Sequence, residues 1–153
     1  MDGTFSSDGI AGCGCRLRGM EGEWTRGFSR KITEKSPIAA KFRAVLEGIK
    51  FCRNMGLTEV IVESHSKLVV EAIITNQTLM SCHHLHQEMH AMLEQAGNVK
   101  VAHVFREANI CADLMASISI KQSKEEIICI GPLQAIDRLL IDDKEGTSYT
   151  CRI

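Results

Sequence analysis

The stretch VESHSKLVVEA, residues 62–72, passes from the end of an apolar strand into an amphipathic helix, with His65 at the junction. Strand-to-helix junctions are where α/β proteins keep their chemistry. A second histidine group, His83, His86 and His90, recurs at i, i+3 and i+7, which puts all three on one side of a helix. Such a cluster invites comparison with zinc ligands. HQEMH is not HExxH, because its glutamate stands in the wrong slot. The stripe also flanks an apolar face, so a solvated face is the better reading. Arg16, Arg18, Arg26, Arg30 and Lys31 recur along a Gly-rich stretch, where they either line a nucleic-acid face or are ordinary solvated charge. Trp24, the single tryptophan, suits core or edge packing better than a base-stacking platform.

Composition sets the outer bounds. A chain of 153 residues suits one domain with a sizeable core. The formal net charge is -1, so no overall basic field advertises a nucleic-acid partner, and any such binding must be local. Seven cysteines occur without a CxxC pair, which argues against a disulfide framework and for reduced thiols. Cys13 and Cys15 alternate on a strand and should share a face. No run approaches the ~18 apolar residues of a membrane span. Asp2 follows Met1 directly, without the opening of a signal peptide. Together these predict an intracellular protein, cytoplasmic or nuclear.

The elements that must position the chemistry follow from periodicity. Turn signals at SDG and MEGE separate three short antiparallel strands, near Asp2–Ser6, Ala11–Arg18 and Glu23–Ile32. Ser36-Pro37 opens a helix, with Ser as N-cap and Pro at the first helical position. Ile38, Phe42, Val45, Ile49 and Cys52 give it one apolar stripe, and Gly56 ends it. EVIVES reads as a buried strand. Ser66–Thr75 is a short helix with Leu68, Val69, Ala72 and Ile73 inward. Cys82–Ala96 is a helix whose core stripe is Leu85, Met89, Met92, Leu93 and Ala96. VKVAHVF is a strand, and Asn109–Ile120 a helix with Asn109 as N-cap. Residues 121–153 form a polar tail with one short amphipathic helix in PLQAIDRLLIDD. The order β-β-β-α-β-α-α-β-α predicts a mixed α/β sheet flanked by helices, with the domain over residues 1–120.

Four ordered segments, DGTFSSDGIAGCG, SPIAAKFRAVLEGI, VIVESHSKLVVEAI and HVFREANICADLMA, resemble the plant ribonuclease H-like domains related to retroelement ribonuclease H. The resemblance covers about residues 2–120, and the tail is also similar to that family's usual ending. It implies a five-stranded mixed sheet carrying four carboxylates at one end. These hold two Mg²⁺ ions that activate water and stabilise the leaving oxygen as the RNA strand of an RNA–DNA hybrid is cut. Mg²⁺ is small and hard and needs oxygen ligands with negative charge.

Carried over residue by residue, the resemblance places the four acids at Asp2, Lys41, His65 and Asp113. The AEL.A segment reads AKFRA here, so Lys41 stands at the second acid's position. The ESDS segment reads ESHS, so the third is His65. Asp2 and Asp113 remain, as catalytic and metal-binding positions, and the formal charge of the four positions falls from -4 to -1. Glu63, two residues before His65, sits too far back along its strand to replace the lost acid. His103, Arg106 and Asn109 match the HV.REAN segment beside the active end, so they are expected at a nucleic-acid contact, with Arg106 at a phosphate or paired with a nearby acid. Relatives carry several apolar strand residues ahead of the first Asp. Met1 alone stands there in this sequence, which implies a shortened chain or a weakly held first strand. The expected function is a nucleic-acid-binding domain with lost or weak nuclease activity and no tightly bound Mg²⁺. The alternatives are an active Mg²⁺-dependent hybrid ribonuclease and a protein-interaction module that touches no nucleic acid.

Overall fold

The computed structural model describes residues 1–131. The antiparallel strands are β1 (Asp2–Phe5), β2 (Ala11–Arg18) and β3 (Trp24–Ile32), followed by helix α1 (Pro37–Asn54). Strand β4 (Glu59–Ser64) leads to α2 (Lys67–Ile74) and α3 (His83–Gln95). Strand β5 (Asn98–His103) leads through a 3-10 turn at Arg106–Asn109 to α4 (Ile110–Lys121), and β6 (Glu126–Cys129) follows.

Local chemistry explains the boundaries. Ser36 Oγ accepts the Ala39 N–H at 3.2 Å, Pro37 opens α1, and Gly56 beyond its end has φ of +76°. Glycine takes that left-handed conformation without steric cost. The α1 stripe buries Phe42, Val45, Leu46 and Ile49 against β1, β2 and α3. Each such side chain contributes roughly 1.5–3 kcal/mol through removal from water. Cys13 and Cys15 lie together in this core, where burial raises both thiols, Cys15 to about 12. No disulfide joins the described cysteines. Among the described residues no helix is long and apolar enough to cross a membrane.

Three expectations change. The five strands do not form one sheet: β1-β2-β3-β6 make a four-stranded antiparallel sheet, and β4-β5 a separate parallel pair. The strand β1 that would join them is four residues long, and the Met1 nitrogen reaches β4 through one bond to the Glu63 carbonyl, at 2.7 Å. The segment after Lys121 is not simply polar, because Glu126–Cys129 adds an edge strand to β3. Gln122 anchors it: its Nε2 donates to the carbonyls of Ser29, Lys124 and Glu125, and its Oε1 accepts from Ser29 Oγ at 2.7 Å. Leu68 of α2 is exposed, and Val70 takes the inward place beside Val69 and Ala72. The amphipathic helix expected in PLQAIDRLLIDD lies outside the described residues.

Two glycines set the spacing of the layers. A Cβ on Gly3 would lie 2.1 Å from the Ala40 carbonyl oxygen of α1. A Cβ on Gly14 would lie 2.3 Å from the Ala116 nitrogen and 2.4 Å from the Ala112 oxygen of α4. Both helices therefore rest on bare backbone. Gly14→Ala should force α4 off β2 and cost about 1–3 kcal/mol, in the range of other overpacked cores. Urea denaturation should show a lower midpoint at unchanged slope; an unshifted midpoint would mean that α4 has slack.

Candidate functional site

The close glycine contacts bring four elements to one point. Asp2 pairs with Gly14 across the β1–β2 ladder, and Gly14 carries the Ala112–Ala116 turn of α4. That register puts the carboxyl of Asp2 beside the carboxyl of Asp113. Gly3 lies on Ala40 and Lys41, so α1 delivers Lys41 to the same place. His65 arrives from the end of β4. There Ser64 Oγ accepts the Ser66 N–H at 3.2 Å, and the Ser64 carbonyl accepts the Val104 N–H at 3.0 Å, which fixes the turn.

Lys41 Nζ lies 2.9 Å from His65 Nε2. Asn109 Nδ2 lies 3.1 Å from His65 Nδ1. Both neighbours are donors: an ammonium has nothing else to offer, and the Asn109 amide is oriented by Met1. Its Nδ2 donates to the Met1 carbonyl at 2.8 Å, and its Oδ1 accepts from the Met1 nitrogen at 3.2 Å. A neutral imidazole has one lone pair, so one contact alone can be a full hydrogen bond. The charged donor takes it, which leaves the ring proton on Nδ1. Burial first, and the Lys41 charge second, hold the His65 pKa below its ordinary value. His65 is therefore a neutral acceptor for Lys41, and its 3.5 Å approach to Asp2 Oδ1 is not an ion pair at neutral pH.

The two carboxyls behave as a pair. Asp2 is 2% exposed, and burial followed by its hydrogen bond with Asp113 pushes its pKa up to about 7. Burial opposes ionisation of Asp113 as well, but the bonds from Asp2 and from Arg106 outweigh it, so its pKa is lowered. Asp2 thus holds the proton and Asp113 the charge. Arg106 Nη2 donates to Asp113 Oδ2 at 2.9 Å. The exposed guanidinium makes this a solvent-screened pair. Including Arg106, two ionised acids, one ammonium and one guanidinium would cancel, and protonation of Asp2 makes the site net positive, so it is less acidic than its four inherited positions alone suggest.

A divalent metal does not fit this set. Two carboxylates, Asp2 and Asp113, remain at the four positions, Lys41 and Arg106 present cations beside them, and no group of three metal-capable side chains exists among the described residues. Glu63 does not take the place of the missing acid, because its carboxylate pairs with Arg18.

Other sequence-predicted residues fall elsewhere. Asn109 stands at the N-cap of α4 but makes no cap bond, and at 6% exposure its amide is committed to Met1 rather than to a ligand. His103 is exposed at the end of β5, its ring edge-on to the exposed Phe105, 5.9 Å away. Arg30 is paired with Glu47 and Glu126, Arg18 with Glu63, and Arg16 donates to the Gly22 carbonyl. The basic face on the meander is reduced to Arg26 and Lys31. Trp24 is edge packing, with Arg16 over its ring at 5.4 Å and Met115 and Cys129 against it. His83, His86 and His90 bond or pair separately with Gln87, Asn76 and Glu94. The shared proton of Asp2 and Asp113 was not legible in sequence, because it depends on burial and on a neighbour 111 residues away.

A model of the reverse transcriptase-like family matches residues 1–119. The chain belongs to this ribonuclease H-like family. An Arabidopsis thaliana protein provisionally named a ribonuclease H protein is 30% identical over 118 residues, 75% of this chain. The chain spans about a fifth (19%) of that relative's length. Ribonuclease H1 of Halobacterium salinarum has the same fold, with a TM-score of 0.73 at 18% identity over 78% of this chain and 93% of that one. The N-terminal ribonuclease H domain of a Mycobacterium tuberculosis protein gives 0.70 at 23% identity, covering 78% and 89%. A ribonuclease H1 isolated from compost, solved with an RNA/DNA hybrid, gives 0.71 at 21% identity, covering 78% and 93%.

The raised Asp2 pKa has a thermodynamic sign. The folded state keeps a proton that the unfolded state loses near pH 4, so stability falls as pH rises from about 4 to about 7. Asp113, with its lowered pKa, acts in the opposite sense and below pH 4. Asp2→Asn should flatten the upper window and raise stability at pH 7 by on the order of 1–3 kcal/mol. Parallel pH profiles for the two proteins would show that Asp2 is not the buried acid.

Proposed function

We propose that this domain binds nucleic acid through the ribonuclease H-like surface and does not cleave it with Mg²⁺. The contact of Lys41 with His65 beside Asp2 and Asp113 carries this reading. An ammonium at one inherited ligand position is held by a neutral imidazole at another, and the acid pair is already neutralised. The arrangement removes the repulsion that four carboxylates would direct at a phosphate. Arg106 is exposed and can exchange Asp113 for a backbone phosphate. Phe105, exposed next to it, offers a ring face for stacking. The compost ribonuclease H1 solved with an RNA/DNA hybrid supports a hybrid as the nucleic acid to try first.

The interaction-module reading has its own support, because Arg16, Arg18 and Arg30 are engaged within the protein. Binding of a labelled RNA–DNA hybrid separates the two. Anisotropy should fall steeply as salt rises, and Arg106→Ala should weaken binding several-fold by removing a phosphate contact. A flat titration at low salt with folded protein favours the interaction module. Gel assays of the same hybrid should show no Mg²⁺-dependent cutting; cleavage abolished by chelator and by Asp2→Asn would overturn the proposal.

The replaced positions can be tested directly. Lys41→Glu together with His65→Asp returns two hard oxygen ligands and makes the site strongly acidic. Calorimetry should then detect Mg²⁺ binding that the parent lacks. Lys41→Glu alone should contribute more than His65→Asp, because it exchanges a cation for an anion, and unit charges ~4 Å apart interact by ~4 kcal/mol at an effective dielectric of ~20. Equal Mg²⁺ titrations for the folded double variant and the parent would show that these positions do not converge as ligands.

A further inference from the structure

Phe105 is placed unlike the other large aromatic side chains. Among the described residues Phe28, Phe42 and Phe51 are buried, Phe5 and Trp24 are half-buried, and Phe105 is 78% exposed. It does not stand on a loose loop. One residue earlier, the Val104 N–H donates to the Ser64 carbonyl at 3.0 Å and ties the chain to the end of β4. The Ala108 N–H donates to the Phe105 carbonyl at 3.0 Å, which fixes the 3-10 turn Arg106–Asn109 that follows. The His103 ring stands against it, 5.9 Å away at 74°. Such an edge contact leaves a face of the Phe105 ring open to water.

Arg106 follows directly, and its exposed guanidinium reaches Asp113 at 2.9 Å, so the ring stands at the rim of the site already described. Consecutive Cα atoms are ~3.8 Å apart. A ring and a guanidinium on neighbouring residues therefore match the base and the phosphate of one nucleotide. Glu107, exposed on the same turn, repels a phosphate and confines it to the Arg106 side. An apolar protein partner would have to bury the Arg106 charge at a cost. A nucleotide brings the anion that pairs with it. A continuous duplex cannot use the ring, because each of its bases already stacks on its neighbours. A base lies on an aromatic side chain once it has left that stack.

We propose that this turn captures an unpaired nucleotide, with its base stacked on Phe105 and its phosphate on Arg106. The domain then prefers a strand with an unpaired position (a bulge, an end or a single-stranded run) over a continuous duplex. This rests on the nucleic-acid-binding reading and names the form of nucleic acid that the site takes. Every base has a π-face, so the preference is for the absence of pairing and not for a sequence. The phosphate contact is shared by paired and unpaired strands, and the ring contact belongs to the unpaired base alone.

The test measures binding of the full chain to labelled RNA–DNA hybrids by anisotropy at low salt. One hybrid is continuous, and one carries an unpaired nucleotide. A further hybrid carries an abasic residue at the unpaired position, which keeps the phosphate and removes the base. The unpaired position is placed in the RNA strand in one set and in the DNA strand in another. In at least one set the parent should bind the unpaired base roughly fivefold or more tighter than the abasic residue or the continuous hybrid. Phe105→Ala should abolish that difference and leave the abasic affinity unchanged, whereas Phe105→Trp should keep it. Arg106→Ala should weaken binding of the unpaired-base and abasic hybrids by the same factor. Phe105 is exposed, so its variants should keep the parent's Tm, and the comparison of base with abasic residue needs no variant. Equal affinities of the parent for base and abasic residue in both sets would overturn the inference and leave nucleic-acid binding standing. So would a loss in Phe105→Ala that is as large without the base as with it. Absence of binding to every hybrid would overturn both readings.

Discussion

The structure depends on the approach of bare backbone to bare backbone at Gly3 and Gly14. Helices normally stand off a sheet by the depth of the intervening side chains. Here α1 touches β1 at Ala40, and α4 touches β2 at Ala112 and Ala116, where a Cβ would already collide. This close sandwich brings charged side chains from β1, α1 and α4 close enough to act on one another electrostatically. Asp2, Lys41 and Asp113 meet because the layers around them are thin. The same contact keeps Asp2 from water, and its burial gives the carboxyl its raised pKa.

Given that geometry, the charges had to be resolved locally. Two carboxyls in a buried space cannot both ionise cheaply, so they share a proton. Lys41 brings a charge that needs an acceptor, and the neutral His65 ring supplies one. Arg106 screens the exposed side of Asp113. The result is a self-contained polar network at the position where the family resemblance implies metal ions. Removing the His65 ring would strand the Lys41 ammonium, since a charge held away from water without its partner is far costlier than the pair itself.

The two sheets meet at β1. A four-residue strand satisfies β2 along half its length and reaches β4 through Met1 alone. Asn109 compensates by gripping the Met1 peptide from both sides, giving up its helix-capping bond to do so. One buried amide therefore ties the start of β1, the tip of β4 and the start of α4 together.

Much of this was legible in the residues themselves. Periodicity and capping signals located α1, α3 and the meander, because Ser36-Pro37, Gly56 and the apolar stripes act within a few residues of where they stand. Ordered motifs pointed to the ribonuclease H-like family, and reading them position by position singled out Asp2, Lys41, His65 and Asp113 as neighbours. Tertiary structure decided the rest. EIIC is too short to declare itself a strand, and became one because β3 had a free edge and Gln122 fixed the turn. Asn109 was an N-cap by local rules and a clamp by tertiary ones. Arg16, Arg18 and Arg30 looked like a basic face and were claimed by a backbone carbonyl or by acids far away in sequence. Local signals fix backbone conformation within a turn or two of the chain. Protonation, ion pairing and strand partnership depend on distances between residues that only the packed layers bring together.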